Sequence, residues 1–416
     1  MILTLVVFGA AVLLWVCTPL DDTFVALAAV AALLLSGVLP ASALTALGGS
    51  TTWLLVAAFV LAAGVAATGL PARLATWLVG RARTVRGLAH LTAFALLLTA
   101  FFVPSTSGRA ALTLPVYDEL RDRLNERAGR ALGVLFPSVI LLTAVATLVG
   151  AGAHLITNSL LEAATGQGIG FGWWLLLGVP LAAVSAHVTA EIVLWLFTSR
   201  ADRATPVSVP ELELGGLTRS EIIAVAVVLA VAAAWLTEPW HHVPPEVVAL
   251  TGALVITTPR LGTTTFRDAF SGIPWSLLLF MAATTVLGTA LISSGAANLV
   301  AGLVSPAHLL PTVIVTSLLA HLVIQSRSAR SSVLVPLVIP LAAAAGMNPA
   351  ALAFASTAAA GFCHTLTSSA KPVALFAHAY RPRDLLRLSV VLAPVTGLLV
   401  FAAAVLLWPH LGLPLR

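Results

Sequence analysis

Long apolar stretches separated by short polar segments dominate the chain. A run of about 17–25 predominantly apolar residues is long enough to cross a lipid bilayer as a helix. The pattern therefore predicts an all-α polytopic membrane protein. We expect crossings at residues 2–17, 22–39, 52–70, 134–163, 172–198, 219–236, 244–257, 274–293, 350–380 and 386–410.

Two further apolar stretches are each interrupted by a polar tip. In the first, the run Leu88–Phe102 is followed by polar Ser105–Arg109 and then by a second short run, Ala110–Leu120. Non-helical backbone at membrane depth is tolerated where it lines a cavity or is buried in protein. We therefore predict re-entrant hairpins at about 88–120 and about 306–345. The basic and apolar segment 71–87 is typical of a helix in the membrane interface.

The second half of the chain repeats the first. Trp15 and Pro19 match Trp235 and Pro239, and Ser105 matches Ser326, at offsets of 220 and 221 residues. We divide the chain into repeats at 1–205 and 206–416, each with five crossings and one hairpin. Because five is odd, the second repeat runs upside down relative to the first. Inverted repeats of this kind are typical of secondary transporters, with the substrate site at the repeat interface.

Composition and charge agree with this topology. The chain is 59% hydrophobic and 9% charged, whereas soluble proteins carry about 25% charged residues. With the N-terminus outside, the predicted cytoplasmic segments hold sixteen of the 21 Lys and Arg residues, as the positive-inside rule requires. We therefore predict a plasma (inner) membrane protein with cytoplasmic basic loops, in which the positive net charge does not indicate nucleic-acid binding.

The two hairpin tips carry the first group of candidate site residues. Both tips read Ser-x-Ser, a small residue, then Arg. Hydroxyls and helix N-termini favour anions, and Arg offers paired donors that match a carboxylate. The alternatives are close helix packing by small residues and, for one arginine in the second tip, pairing with an acid or with carbonyl groups. The candidates for substrate binding are Ser105, Thr106, Ser107, Arg109, Ser326, Arg327, Ser328 and Arg330.

Two interrupted crossings carry a second group, which we expect to bind an ion or the substrate. Glycines or a Pro-containing polar run interrupt each crossing, and broken helices expose backbone groups to ligands. The candidates are Gly150, Gly152, His154, Ser368, Ser369 and Lys371. His154 is alternatively a packed histidine, and Glu191 is either a proton site or a partner of a basic residue. Asp21 and Asp22 are interpreted as helix caps. Neither cysteine has the spacing of a metal site, so no metal is predicted.

The paired tips resemble those of the divalent-anion:sodium symporter family, which carries dicarboxylates, citrate and sulfate. That family has Ser-Asn-Thr tips followed by small residues and a Pro, and Ser105-Thr106-Ser107 and Ser326-Arg327-Ser328 stand at these places. The stretches Trp15–Pro19, Trp53–Leu70 and Gly168–Trp174 are also similar to the family.

The resemblance implies tips that contact substrate, elevator-like alternating access, and a homodimer formed through scaffold helices. Thr106 and Arg327 stand where the family has Asn. Arg109 resembles an Arg that follows the first tip in a citrate and 2-oxoglutarate exchanger branch. The resemblance therefore leaves both sodium-coupled symport and sodium-independent exchange open, and implies no other cofactor.

We predict a secondary active transporter of small anions, chiefly di- or tricarboxylates, that is not an enzyme. A passive anion channel is one alternative, since rings of Arg line anion pores. An intramembrane enzyme with Ser and His as nucleophile and base is another, although the symmetric repetition of the hydroxyls argues against it. A sodium/proton exchanger would need acids at the membrane midplane, where this chain is basic.

Overall fold

The computed structural model describes residues 1–207, 216–295 and 308–416, apart from the side chains of Ala75, Leu78, Val79 and Pro239. Most of the described chain is α-helical, with short 3-10 turns between helices. The helices of the first half are α1 (Ile2–Cys17), α2 (Asp22–Leu35), α3 (Ser50–Ala67), α4 (Leu70–Gly80), α5 (Val85–Phe102), α6 (Thr106–Arg121), α7 (Glu126–Leu142), α8 (Gly152–Thr165), α9 (Phe171–Phe197) and α10 (Arg200–Ala204).

The described helices of the second half follow a similar order. They are α11 (Arg219–Leu236), α12 (Glu238–His241), α13 (Pro245–Ile256), α14 (Phe266–Ser271), α15 (Trp275–Ser293), α16 (Leu309–Leu319), α17 (Arg327–Ala344), α18 (Pro349–Ala359), α19 (Lys371–Leu375) and α20 (Pro382–Ala402).

Seven helical stretches of the described chain are long and apolar enough to cross a membrane. Five shorter apolar helices, of 10–17 residues, accompany them. The prediction of an all-α polytopic membrane protein is thus confirmed. The long stretches are Ala41–Ala67, Val85–Phe102, Glu126–Ala146, Phe171–Phe197, Arg219–Leu236, Trp275–Ser293 and Pro382–Leu411.

Polar residues fix where several helices begin. The Asp21 side chain accepts hydrogen bonds from the backbone N–H groups of Thr23 and Phe24, which caps α2. Thr218 and Glu221 form a capping box at the start of α11. Each cap satisfies donors that have no partner within the first turn of a helix. The interpretation of Asp21 as a cap is therefore confirmed.

The first arm of the hairpin predicted at 88–120 is longer than expected. Thr84 accepts a hydrogen bond from the Gly87 N–H at 3.1 Å, so the helix begins at Val85 and includes the basic Arg86. The predicted interfacial helix at 71–87 is correspondingly shorter, because α4 ends at Gly80. The start of the hairpin predicted at about 306–345 lies outside the described residues, as do parts of the segments that follow the crossings predicted at 172–198 and 274–293.

Helices from the two halves pack against each other in a reciprocal pattern. α2 of the first half packs on α15, and α3 packs on α13 of the second half. The first contact includes hydrogen bonds of Thr23 Oγ1 with the backbone oxygen and the hydroxyl of Ser276, at 3.1 and 2.7 Å. The scaffold of the protein is therefore shared between the halves.

Equivalent residues make equivalent contacts in the two halves. The indole Nε1 of Trp15 donates to the Asp22 carbonyl at 3.1 Å, and that of Trp235 donates to the Pro245 carbonyl at 2.9 Å. Gly69 and its counterpart Gly295 follow α3 and α15 with φ of 73° and 70°, a left-handed conformation that favours glycine. Two repeats would make such equivalent contacts, and the division at 1–205 and 206–416 and the inverted orientation stay predictions.

The two equivalent tryptophans generate a test of this arrangement. Trp15→Phe and Trp235→Phe should each lower the free energy of unfolding by about 1–3 kcal/mol, because one hydrogen bond and part of the buried ring are lost. Denaturant titration in mixed micelles measures the change. Trp240, whose side chain is 83% exposed, supplies the control Trp240→Phe. Unchanged stability in both buried variants would contradict the equivalence.

Candidate functional site

The two hairpin tips line one cavity of about 960 Å³. Arg109 and Arg330, the arginines at equivalent positions in the two repeats (the repeat-mate arginines), do not line it. The other six predicted tip residues do. Ser105 accepts a hydrogen bond from the Gly108 N–H at 3.2 Å, and Ser326 accepts one from the Ala329 N–H at 3.3 Å. Both serines therefore cap the helices that begin at the next residue. The cavity wall contains Ser105, Thr106, Ser107, Ser326, Arg327 and Ser328.

The crossings predicted at 134–163 and 350–380 are both interrupted beside this cavity. In the first, α7 ends at Leu142, two 3-10 turns follow, and α8 begins at Gly152. In the second, α18 ends at Ala359 and α19 begins at Lys371 after a 3-10 turn. The residues that precede α8 and α19 have nearly the same backbone angles, with φ of −157° and −160° and ψ of 148° and 147°. Both breaks thus present a helix start in the same way.

Two glycines allow the chain to fold tightly at the first break. A Cβ atom on Gly150 would lie only 2.2 Å from the backbone oxygen of Ala144. A Cβ atom on Gly152 would lie 3.2 Å from the hydroxyl of Ser328 in the second tip. Gly150 therefore permits the break itself, and Gly152 permits the close approach of the second tip to it.

Arg327 and Lys371 supply the positive charge of the cavity. Both side chains line it, together with Gly152 and Ser368. Arg327 is half-buried and Lys371 is exposed to the cavity. The guanidinium of Arg327 donates to the Leu141 carbonyl at 3.5 Å. Among the residues that the structure describes, neither cation forms an ion pair with a carboxylate within 4.0 Å.

Arg109 does not reach the cavity, contrary to its predicted role in substrate contact. Its side chain is fully buried, and all of its nitrogens have partners. Nε donates to the Thr99 hydroxyl at 2.9 Å, and Nη1 donates to the Ile140 carbonyl at 2.9 Å. Nη2 donates to the Leu96 carbonyl at 2.5 Å and to the Thr143 hydroxyl at 2.8 Å. These contacts tie α6 to α5 and α7, which is a structural role.

Arg330 is also buried behind its tip instead of lining the cavity. Its side chain is 0% exposed, and Nη1 donates to the Phe362 carbonyl at 3.3 Å. This bond is the counterpart of the one from Arg109 to Ile140. The remaining nitrogens of Arg330 have no hydrogen-bond partner in the described structure. The two repeat-mate arginines thus occupy equivalent positions but have different surroundings.

The other predicted residues at the breaks are buried away from the cavity. His154 is fully buried, with Nδ1 3.0 Å from the Thr147 carbonyl and its ring against Trp174. The Ser369 hydroxyl accepts a hydrogen bond from the Leu366 N–H at 2.9 Å. These contacts favour the alternative of a packed histidine, and they give Ser369 a role within the second break.

Glu191 is a partner of basic residues, one of the two alternatives predicted for it. Its carboxylate accepts hydrogen bonds from Arg86 at 2.9 and 2.7 Å, and lies 2.6 Å from Nε2 of His90. All three residues belong to α5 and α9, and Glu191 does not line the cavity. The proton-site alternative has no support from this position.

Asp22 is a cavity residue that sequence reasoning did not select. It is the first residue of α2 and lines the cavity together with Ser326 and Lys371, and its carboxylate is attracted to the Lys371 ammonium. The neighbouring Asp21 performs the capping, so the interpretation of both acids as helix caps is correct for Asp21 and wrong for Asp22. Two adjacent acids at a single helix start were the signal, because one side chain is enough to cap a helix.

The chain is similar to one family model and to several bacterial membrane proteins. The family model described as sodium:sulfate symporter transmembrane region matches residues 2–413. A Cupriavidus necator membrane protein is 25% identical over 71% of this chain and 62% of its own length. The putative malate transporter YflS of Bacillus subtilis is 24% identical over 70% and 63%, respectively. The inner membrane protein YbhI of Escherichia coli is 28% identical over 63% and 59%.

A solved structure supports the fold, and the relatives are longer than the matched region. The Alcanivorax borkumensis YdaH transporter superposes with a TM-score of 0.60 at 17% identity, over 99% of this chain and 98% of its own. At that identity the likeness concerns the fold alone. The chain spans less than two thirds of the length of each of the three relatives above.

The first break generates a test that depends on one methyl group. Gly150→Ala would place a Cβ 2.2 Å from Ala144 O, so the backbone must move, at a cost of about 1–3 kcal/mol. We expect lower thermal stability and slower transport. Gly170 has no heavy atom within 4 Å of the corresponding Cβ position, so Gly170→Ala is the matched control. Equal stability of the two variants would show that the break tolerates a side chain.

Proposed function

Because the chain belongs to the sodium:sulfate symporter family, whose model covers residues 2–413, we propose that it carries small di- and tricarboxylates across the membrane by alternating access. Family membership and the transporter relatives make it a multi-pass membrane carrier of small anions and not an enzyme. The substrate class is our proposal, and the printed name of the relative YflS, a putative malate transporter, supports it.

One observation carries the proposal. Three helices, α6, α8 and α17, begin at residues on the wall of a single cavity, and Lys371 of the short helix α19 lies on the same wall. Unpaired N–H groups and the positive end of the helix dipole make such starts favourable for anions. Arg327 and Lys371 add two full positive charges beside the hydroxyls of both tips. Two cations and several donors match a compact anion with two or more negative charges.

We place the moving parts at the tips and breaks. In this proposal the two hairpins, α5–α6 and α16–α17, move with the broken segments as an elevator-like unit. The reciprocally packed helices α2, α3, α13 and α15 form the scaffold. A homodimer through the scaffold, a plasma membrane location, an outside N-terminus and cytoplasmic basic loops complete the arrangement that we propose.

We propose anion exchange without sodium as the mode of coupling. Arg327 replaces the Asn that the second tip of the family carries, and Lys371 begins α19 where Gly152 begins α8. These fixed cations supply positive charge to the binding site, so a dianion needs no accompanying cation to be held there. Sodium-coupled symport is the competing mode.

Asp22 gives the scaffold a part in this mechanism. Its carboxylate lines the cavity together with Lys371 and Ser326 and is attracted to the Lys371 ammonium. An entering dianion therefore competes with Asp22 for the same ammonium group. We propose that Asp22 partly neutralises the cavity between transport cycles, which would speed substrate release at the expense of affinity.

Counterflow in proteoliposomes tests the substrate and the coupling. Labelled malate, citrate and sulfate are offered to vesicles preloaded with unlabelled anion, in sodium or choline buffer. We expect saturable exchange of a dicarboxylate or tricarboxylate that is equal in both buffers. A strict sodium requirement would contradict exchange, and a non-saturable flux without counterflow would favour a channel.

Substitution of Lys371 tests the cavity. Lys371→Gln should raise the KM for the dianion roughly tenfold or more, because a charge-assisted hydrogen bond is lost. Lys371→Arg keeps the charge and should retain most of the affinity. The exposed Arg200, which does not line the cavity, supplies the control Arg200→Gln. An unchanged KM in Lys371→Gln would remove this residue from the site.

The competition by Asp22 has a matched control next to it. Asp22→Asn should lower the KM for a dianion about two- to fivefold, the effect of one partly exposed charge pair. Asp21 also lines the cavity, but its side chain caps α2, so Asp21→Asn should change the KM less than Asp22→Asn does. Equal effects of the two substitutions would show that only the local charge of the helix start matters.

A further inference from the structure

Arg109 and Arg330 differ in whether one edge of the guanidinium, formed by Nε and Nη2, has hydrogen-bond partners. In Arg109 this edge is filled, since the Thr99 hydroxyl accepts from Nε and the Thr143 hydroxyl and Leu96 carbonyl accept from Nη2. In Arg330 both nitrogens of the edge are buried without a hydrogen-bond partner in the described structure. Two parallel N–H groups on one edge are the arrangement with which Arg binds anions.

The sequence explains the difference. The offset of 221 residues that pairs Arg109 with Arg330 also pairs Thr99 with Ala320, which has no hydroxyl. The backbone acceptors Ile140 and Phe362 are 222 residues apart, and that offset pairs Thr143 with Thr365.

The Thr365 hydroxyl is occupied elsewhere. It lies 2.7 Å from Nε2 of His321, and it donates to the Ser389 hydroxyl at 3.2 Å. Both hydroxyl acceptors of the first copy are therefore missing from the second copy, one by substitution and one by a different set of contacts.

The electrostatic surroundings add to the demand for negative charge. Arg330 and Arg327 lie close enough for their charges to repel each other, and Arg327 acts in the same way on Arg109. The neighbouring titratable groups are His321, His364 and Cys363, none of which is a carboxylate. No salt bridge to any of the three arginines occurs within the described ranges. A buried charge without a partner is costly.

We propose that the Nε–Nη2 edge of Arg330 binds a small inorganic monoanion, with chloride as the type, at a buried site separate from the transport cavity. Arg330 is 0% exposed and does not line the cavity, so a bulky organic anion cannot reach it. The bound ion offsets the repulsion between Arg330 and Arg327, and it takes the place of the Thr99 hydroxyl in the second repeat. The site is independent of the substrate that the cavity takes.

Thermal unfolding of the purified full chain tests the site. Sodium chloride is compared with sodium gluconate at equal ionic strength, without organic substrate. Ligand binding to the native state alone raises its stability, so the wild type should unfold at least ~2 °C higher in saturating chloride. Ala320→Thr restores the hydroxyl of the first copy and should abolish this response. Arg330→Gln should abolish it as well.

A cavity variant separates the two anion sites. Lys371→Gln should keep the chloride response, because Lys371 belongs to the cavity wall and not to the surroundings of Arg330. Loss of the response in Lys371→Gln, or an undiminished response in Ala320→Thr, would mean that chloride binds elsewhere as an adventitious ion only. Absence of any chloride effect in the wild type would also overturn the proposal. Bromide soaked into crystals should give an anomalous peak beside Arg330.

Discussion

The need to stabilise positive charge inside an apolar protein is the constraint on which the structure around the hairpin tips depends. Arg109, Arg327 and Arg330 lie close together in a chain with 9% charged residues. Moving a charge out of water is costly unless hydrogen bonds or a counter-charge replace the lost hydration. Arg109 meets this demand with hydroxyls and carbonyls from α5 and α7. Arg327 meets it partly by facing the cavity, where a transported anion can reach it. Arg109 and Arg327 therefore replace their lost hydration in different ways.

The two repeats agree in backbone and differ in chemistry. The helix starts after both breaks have nearly identical backbone angles, and both tips are capped by a serine at the equivalent position. The side chains at these equivalent places diverge: Thr106 against Arg327, Gly152 against Lys371, Thr99 against Ala320. The second repeat holds the additional charge, whereas the first holds the hydroxyls and glycines. A symmetric frame thus supports an asymmetric site.

The fold and the location of the hairpin tips could be predicted from the sequence, because the length of the apolar runs and the internal repetition are strong signals. The all-α membrane fold follows from the apolar runs, and the tips from the polar residues that interrupt them. The direction of a side chain is a weaker signal: Arg109 and Arg330 share their spacing with cavity residues but point into the protein, since their partners come from other helices. The predicted start of α5 is wrong because basic Arg86 was assigned to the interfacial helix at 71–87, whereas the Thr84 cap includes Arg86 in α5. Asp22 was missed because its position at a helix start already had a satisfactory explanation.

The reciprocal packing of α2 on α15 and α3 on α13 has a consequence for biosynthesis. Thr23 and its partner Ser276 are 253 residues apart, which at about 5–20 residues per second corresponds to roughly 10–50 s of translation. During that time α2 and α3 are in the bilayer without α15 and α13, which later pack against them. The nascent chain must therefore be protected by lipid, by the insertion machinery or by temporary contacts within the first half. Substitutions that weaken these early contacts would reduce the yield of protein without altering the finished carrier.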